Sequence, residues 1–308
     1  MFGVIEGFAA IWVVIGVGYL VGRRGVLGPN ARPVLNKLTF NVASPALLFV
    51  TLAGSDPYAV LGPQLWVAGI SAFIVLALYW LLTRWWLRRS PAERTIGAMA
   101  ASTVNSANLG LPIATYVLGD PALAAPVILF QLAVFTPLNL SMMDAATART
   151  GGGFLGVIKG IVTNPMIIGS LLGLAVSLAR WEVPAIVMTP LNLLAGASVP
   201  AMLLAFGISL VGSTPLRKAA GRRADVWSAT ALKLVVHPLI ALALAVWVFQ
   251  LEGEHLFAAV VLAALPTAQN IFVNASRYDA GVTVAKDTVL VTTVLGIPLM
   301  FLVAALLG

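Results

Sequence analysis

Stretches of about 20 apolar residues recur along nearly the whole chain, and this rhythm fixes the solvent in which it folds. A bilayer core roughly 30 Å thick, crossed at about 1.5 Å per residue, asks for that length in each helix. Walked along the sequence, the ruler gives ten candidate helices, at approximately 3–22, 34–53, 65–87, 95–118, 122–143, 156–179, 189–212, 226–250, 255–277 and 284–307. Composition agrees. Of 308 residues, 60% are hydrophobic and 9% charged, against roughly 25% charged in a soluble chain. The absence of cysteine excludes a disulfide scaffold and a thiolate metal site. The loops are short, so no soluble domain or long linker is expected. The first stretch lacks a basic leader and is too long for a cleaved signal, and so reads as a retained helix.

The basic residues orient the helices. Sixteen of the eighteen Lys and Arg side chains fall around the loops after the odd-numbered helices: Arg23, Arg24, Arg32, Lys37, Arg84, Arg88, Arg89, Arg94, Arg149, Lys159, Arg217, Lys218, Arg222, Arg223, Arg277 and Lys286. The opposite loops hold only Arg180, beside acids such as Asp56, Asp120, Glu252 and Glu254. This asymmetry puts both termini outside the cytoplasm, in the inner membrane. The net charge of +7 thus belongs to cytoplasmic loops and gives no reason to expect nucleic acid. Most tryptophans fall near helix ends, as interfacial anchors do, and Trp12 is the exception.

The chain is also written twice. Phe2–Gly7 reappears as Leu155–Gly160, Ser44-Pro45-Ala46-Leu47-Leu48 as Val199-Pro200-Ala201-Met202-Leu203, and Leu111-Pro112-Ile113-Ala114 as Leu265-Pro266-Thr267-Ala268, at offsets of 153, 155 and 154. Residues 1–150 and 151–308 are therefore expected to form two five-helix repeats. Five is odd, so the second repeat enters the membrane from the opposite side, an arrangement common in secondary transporters.

Helices 4 and 9 carry polar, glycine- and proline-bearing centres, Asn105-Ser106-Ala107-Asn108-Leu109-Gly110-Leu111-Pro112 and Leu265-Pro266-Thr267-Ala268-Gln269-Asn270. A mid-helix proline costs about 3 kcal/mol and removes a donor, and such backbone persists at membrane depth only where it lines a cavity. If both helices break and restart at Pro112 and Pro266, two half-helix N-termini offer free N–H groups to an anion. Asn105, Asn108, Gln269 and Asn270 would add amide donors. Two kinked helices joined by Asn hydrogen bonds are the plainer alternative. Pro45 and Pro200, with Asn41, Ser44 and Ser198 nearby, read either as packing kinks or as a cavity wall; Asn164-Pro165 reads likewise, and Gln131 and Thr136 are further lining candidates.

Lys233 is the one basic residue well inside a candidate span, with His237 one turn on. It either snorkels to the interface or supplies a countercharge to an anion or a switching partner. His237 is a proton carrier or a hydrogen-bonded core residue. Glu6, Asp56, Asp120, Asp144, Glu252, Glu254, Asp279 and Asp287 all lie near ends or loops, which argues against a buried carboxylate as an ion-coupling group. With two histidines, no cysteine and no intramembrane acid pair, a membrane-embedded enzyme lacks its nucleophiles and ligands, and no metal or cofactor is expected.

These motifs resemble those of the auxin efflux carrier family. The resemblance rests on Asn-x-x-Asn-x-Gly-x-Pro at 105–112, Ser-Pro-Ala-Leu-Leu-Phe at 44–49, Asn-Pro at 164–165, Pro-Ala-Met-Leu-Leu-Ala-Phe-Gly at 200–207, Lys-Leu-Val-Val-His-Pro at 233–238 and Leu-Pro-Thr-Ala-Gln-Asn at 265–270. That family includes plant auxin transporters and bacterial permeases for dicarboxylates such as malate and malonate. The resemblance implies an all-α integral membrane fold of ten helices, similar to bile-acid and sodium–proton transporters. Helices 1, 2, 6 and 7 would be a scaffold and helices 3–5 and 8–10 a transport domain. Helices 4 and 9 would cross at the substrate and pivot region, which maps onto Asn108, Pro112, Pro266 and Asn270, and alternating access would be elevator-like. The long central loop of plant members is short here, at 144–155.

The expected function is therefore secondary transport of a small organic carboxylate, with lipid and substrate as partners and a second copy of the chain as a candidate third. Asn105, Asn108, Gly110, Pro112, Pro266, Gln269, Asn270, Asn41, Ser44 and Lys233 are the candidate substrate residues. Sodium- or proton-coupled symport of another organic anion and a non-transporting membrane sensor are the alternatives.

Overall fold

In hydrocarbon, every backbone donor and acceptor needs a partner within the protein, which favours helices along an apolar chain. A computed structural model describes residues 2–56, 60–147, 153–212, 216 and 221–307. Arg149, Arg217 and Lys218, counted in the charge asymmetry, and the repeat boundary expected at 150/151 lie outside the described residues. Among those described, the regular elements are all helical, with a single isolated antiparallel bridge and no β-strand.

The helices are α1 (Phe2–Arg24), α2 (Ala31–Ala53), α3 (Pro63–Trp85), α4 (Pro91–Ser102), α5 (Leu111–Tyr116), α6 (Pro121–Ala146), α7 (Gly153–Val162), α8 (Pro165–Leu178), α9 (Ala185–Ser209), α10 (Arg223–Val248), α11 (Gly253–Ala263), α12 (Asn270–Tyr278) and α13 (Val282–Leu307). Seven helices among the described residues are long and apolar enough to cross a membrane: α1, α2, α3, α6, α9, α10 and α13. Helices α8 and α11 are apolar but shorter. The chain is thus an all-α, multi-pass membrane protein.

Three expected spans are not continuous helices. The stretch expected at 156–179 is split into α7 and α8. Asn164 is the N-cap of α8, its Oδ1 accepting from the Met166 and Ile167 N–H groups at 3.0 and 3.4 Å, and Pro165 takes the first helical position. Asn-Pro is therefore a helix start, as its chemistry favours, and not a kink. The stretches at 95–118 and 255–277 are each interrupted, as described below.

Prolines elsewhere are accommodated by wide turns. The π-helical turns Thr39–Ala43, Ser106–Gly110, Gln131–Phe135 and Leu232–Val236 each run directly into an X-Pro pair: Ser44-Pro45, Leu111-Pro112, Thr136-Pro137 and His237-Pro238. Ser44, Thr136 and His237 donate their N–H to carbonyls five residues back, at Thr39, Gln131 and Leu232. A proline ring crowds the carbonyl four residues earlier and brings no N–H to it, so a widened turn lets the helix continue through the proline.

The contacts divide the chain into two compact units. The first holds Met1–Gly62, Ala107–Leu129 and Ile158–Ser213; the second holds Pro63–Ser106, Phe130–Val157 and Thr214–Gly308. Within the first, α1 lies against α9 and α2 against α8 at backbone distance. A Cβ on Gly18 would stand 2.5 Å from the Leu204 carbonyl, and one on Gly169 2.5 Å from the Pro45 carbonyl. Small residues let helices approach this closely where no hydrophobic effect drives them together. The second unit packs an aromatic cluster of Phe73, Tyr79, Phe130 and Phe135, with Phe73 edge-on to both Phe130 and Phe135. Gly97 leaves room for the Tyr79 ring.

At one end of the second unit, Arg89 grips Asp225 through two parallel bonds of 2.9 and 2.8 Å, and Arg222 pairs with Glu93. Hydrogen bonding to Asp225 holds the Arg89 guanidinium above its ordinary pKa. Ser90 and Glu93 form a capping box that starts α4. Glu93 and Asp225 carried no weight in the sequence reading, yet they anchor the starts of α4 and α10.

Candidate functional site

The most irregular backbone of the second unit is where two apolar helices stop facing each other. Helix α4 ends at Ser102, and Thr103 turns to extended geometry (φ −87°, ψ 116°). Helix α11 ends at Ala263, and α12 begins only at Asn270. The two extended segments meet as an antiparallel bridge between Val104 and Thr267. Asn105 N–H donates to the Pro266 carbonyl at 2.9 Å, and Ala268 N–H to the Thr103 carbonyl at 3.2 Å. Thr267 locks the pair: its hydroxyl donates to the Ala100 carbonyl at 2.6 Å, and its N–H donates to the Thr292 hydroxyl at 3.1 Å. Each broken helix thereby satisfies the backbone of the other, which is how extended chain survives among apolar helices.

Both helices are interrupted, but neither restarts at its proline. The first resumes in the π turn at Ser106, so Pro112 lies inside regular helix as the second residue of α5. Pro266 lies in the extended break itself, where its carbonyl accepts from Asn105. The two prolines, matched in the sequence repeat, thus occupy different backbone environments. A proline fits either because each place needs no N–H from it. Gly110 has ordinary helical angles (φ −64°, ψ −48°), which any residue adopts.

The expectation of free N–H groups at the restarts also changes. Ser106 N–H donates to Val104, Ile271 N–H to Ala268 and Phe272 N–H to Gln269. These donors, with those of Asn105 and Ala268, are committed to the backbone. Side-chain chemistry adds to the backbone there. Asn105 is 2% exposed, and its Nδ2 is buried without a hydrogen-bond partner. Gln131 donates to the Ser106 hydroxyl at 2.5 Å, leaving its own Oε1 unpartnered. The hydroxyls of Thr103 and Thr288 are likewise buried and unpartnered. An unsatisfied buried polar group costs about 1–3 kcal/mol, so a cluster of them on neighbouring elements asks for a reason.

Gln269 is half-buried and Asn270 exposed at the start of α12. In the first unit's part of the chain, Asn108 is half-buried, and Gly110 and Pro112 are buried. Asn41 is exposed and donates to the Lys37 carbonyl at 2.8 Å, within its own helix. Ser44 is buried and shares a 2.9 Å hydrogen bond with Ser198.

Lys233 does not snorkel. It is 0% exposed, and its Nζ donates to the Ala263 carbonyl at 2.7 Å and meets His237 Nδ1 at 3.0 Å. His237 Nε2 lies 3.2 Å from the Ser71 hydroxyl. Ser71, Thr267, Thr288 and Thr292 were missed by the sequence reading. Hydroxyls are common in apolar helices, and only the four-residue spacing of Thr288 and Thr292 on one helical face hinted at a shared role.

The comparisons with known proteins agree in kind. The description "Membrane transport protein" matches residues 3–147 and 155–304. An "Uncharacterized transporter" of Methanothermobacter thermautotrophicus is 26% identical over 96% of this chain and 95% of its own. A "Putative malonate transporter" of Rhizobium meliloti is 29% identical over 92% of this chain and 89% of its own. "Auxin efflux carrier component 3a" of Oryza sativa is 31% identical, over 54% of this chain and 27% of its own. With apolar helices throughout and that match running through both halves, the chain belongs to the membrane transport protein family that includes the auxin efflux carriers.

Proposed function

We propose that the protein is a secondary transporter of small organic carboxylates of the malonate or malate type. The observation that carries this reading is Asn105, whose amide is buried and unpartnered where the two broken helices bridge. A carboxylate supplies the acceptor that this donor lacks. Gln269 and Asn270 of the same unit add amides at the start of α12, and Pro266 holds the bridge that positions Asn105. Asn108, Gly110 and Pro112 keep their proposed substrate role on the first unit's own stretch of chain, as do Asn41 and Ser44. Lys233, buried beside His237 in the polar interior of the second unit, keeps its proposed role as a basic group favouring an anion. The malonate named for one relative supports the substrate class.

The wider architecture proposed is ten helices in two inverted repeats, in the inner membrane, with both termini outside the cytoplasm. Ser44 and Ser198, hydrogen-bonded to each other, are 154 residues apart, which is the repeat offset. The glycine-mediated pairs α1 with α9 and α8 with α2 exchange under that offset, and this too supports the repeat. In elevator-type exchange, helices 1, 2, 6 and 7 of the expected ten would be the scaffold and helices 3–5 and 8–10 the carrier.

Counterflow of radiolabelled malonate and malate in proteoliposomes tests the reading. Saturable uptake competed by unlabelled carboxylates is expected, with flux lost in Asn105→Ala, Asn108→Ala and Asn270→Ala variants of normal expression. Normal flux in all three would refute the site. Proton and sodium gradients imposed separately sort uniport from symport, and ligand binding without flux would favour a sensor.

A further inference from the structure

The buried lysine of the second unit has a partner that gives it a specific role. Helix α11 is apolar and stops at Ala263 inside the protein, with the next helix beginning at Asn270. A helix that ends in a low-dielectric interior leaves carbonyl oxygens without donors and gathers about half a negative charge at that end. In transporters built on interrupted helices, such ends commonly coordinate a sodium ion or a proton-bearing group. Here the Ala263 carbonyl accepts from Lys233 Nζ at 2.7 Å. The lysine is 0% exposed and arrives from α10, through the π turn Leu232–Val236 that widens the helix at that residue. His237, one turn on, takes a second contact with Nζ at 3.0 Å and is itself steadied by Ser71 at 3.2 Å. Among the described residues Lys233 has no carboxylate partner; the pairs Arg89–Asp225 and Arg222–Glu93 lie elsewhere in the unit. The group facing this ammonium is therefore the negative end of α11.

We propose that Lys233 is a built-in cation that occupies the C-terminal end of the interrupted helix α11, where a coupling sodium ion would otherwise be needed. The amine is covalently tethered, so it competes with any ion from solution for the end of α11. His237 and Ser71 are positioning residues that hold the lysine on its carbonyl. The consequence for coupling rests on the transport reading: flux should be independent of sodium at this place. The structural claim itself needs no flux.

The test is the melting temperature of the purified protein in detergent, at equal ionic strength in sodium, potassium or choline chloride. The wild type should melt at the same temperature in all three salts. Lys233→Ala should melt several degrees lower in choline and recover selectively in sodium, or when propylammonium is supplied to fill the vacated space. Lys233→Met keeps most of the side-chain volume without the charge, and should also be destabilised. A wild type selectively stabilised by sodium would overturn the proposal, as would a Lys233→Met protein as stable as wild type in choline. So would a Lys233→Ala protein indifferent to every cation. If the variants do not fold, the wild-type comparison of sodium with choline still decides. Absence of malonate flux under all conditions would sink the transport reading and leave this result standing.

Discussion

The first unit closes on glycine contacts and a serine pair, whereas the second is threaded with buried polar and charged groups. In the first, α1 and α9 meet where Gly18 faces Leu204 and Gly207 faces Ile15 and Tyr19. In the second, Asn105, Gln131, Asp225, Lys233, His237, Thr267, Thr288 and Thr292 are all buried. The buried side-chain atoms that lack a partner divide the same way. Among the described residues, Trp12 belongs to the first unit, and Thr103, Asn105, Gln131, Asn139, Arg222, Thr230, Asp287 and Thr288 to the second. Saturated contacts stabilise a fold, whereas unsaturated donors and acceptors cost stability and are open to a polar ligand. On the proposed reading the second unit carries that cost, and Asn108 of the first unit contributes as well.

The sharpest way to break this contrast is to disturb the packing of the first unit. Gly207→Val adds a side chain whose Cβ would stand 2.7 Å from the Tyr19 backbone nitrogen, and closer still to the Ile15 carbonyl. Backbone cannot move aside as a flexible side chain can, so a loss of about 3 kcal/mol or more is expected. Fluorescence-detected gel filtration and melting measurements would register it as aggregation or a large drop in midpoint. A variant that stays monodisperse at the wild-type midpoint would show that the first unit is looser than its glycines imply.

Next in size comes a substitution that should cost function and leave stability intact. Asn105→Ala removes a buried donor that has no partner, so the melting midpoint should hold or rise. Carboxylate counterflow should fall at least about tenfold, the equivalent of one good hydrogen bond to a charged group. If stability fell instead and flux survived, the unpartnered amide would be structural, and the second unit would resemble the first. Asp225→Asn offers an intermediate case. It removes the negative charge and one of the two acceptors that Asp225 offers Arg89, and a loss of about 1–3 kcal/mol is expected, because Arg89 is partly open to solvent. Flux per folded molecule should be unchanged.

What was legible in the sequence follows from which forces are local. Hydrocarbon thickness imposes its own length and period, so the seven long apolar helices coincide closely with expected spans. The interruptions showed themselves through Asn, Gly and Pro clustered in apolar surroundings. Their register did not, because Thr103-Val104 carries no local signal for extended chain, and the bridge depends on Thr267 far along the chain. Asn164-Pro165 held a readable cap signature that the ruler of 20 residues overrode. The anchor of Lys233 is a carbonyl on another helix, and no pattern within α10 can reveal it.

The smallest effect tests whether the buried hydroxyl pair of the first unit matters to it. Ser44 and Ser198 share a 2.9 Å bond, with Met202 Sδ as a weaker second contact of Ser44 at 3.8 Å. Either single change to alanine leaves the other hydroxyl buried and short of a partner, whereas the double change removes both groups. In membrane interiors such bonds couple by about 0.6 kcal/mol on average, because the unfolded helices find partners too. The Ser44→Ala, Ser198→Ala and double variants should therefore give a coupling of about 0.5 kcal/mol, read from reversible unfolding in mixed micelles. Each single variant should keep full flux if the pair is structural. Strict additivity would mean that glycine packing alone holds the first unit, and the contrast with the second would be complete. A coupling well above about 1 kcal/mol would mean that a polar contact is also decisive in the first unit, and that the two units differ in degree only.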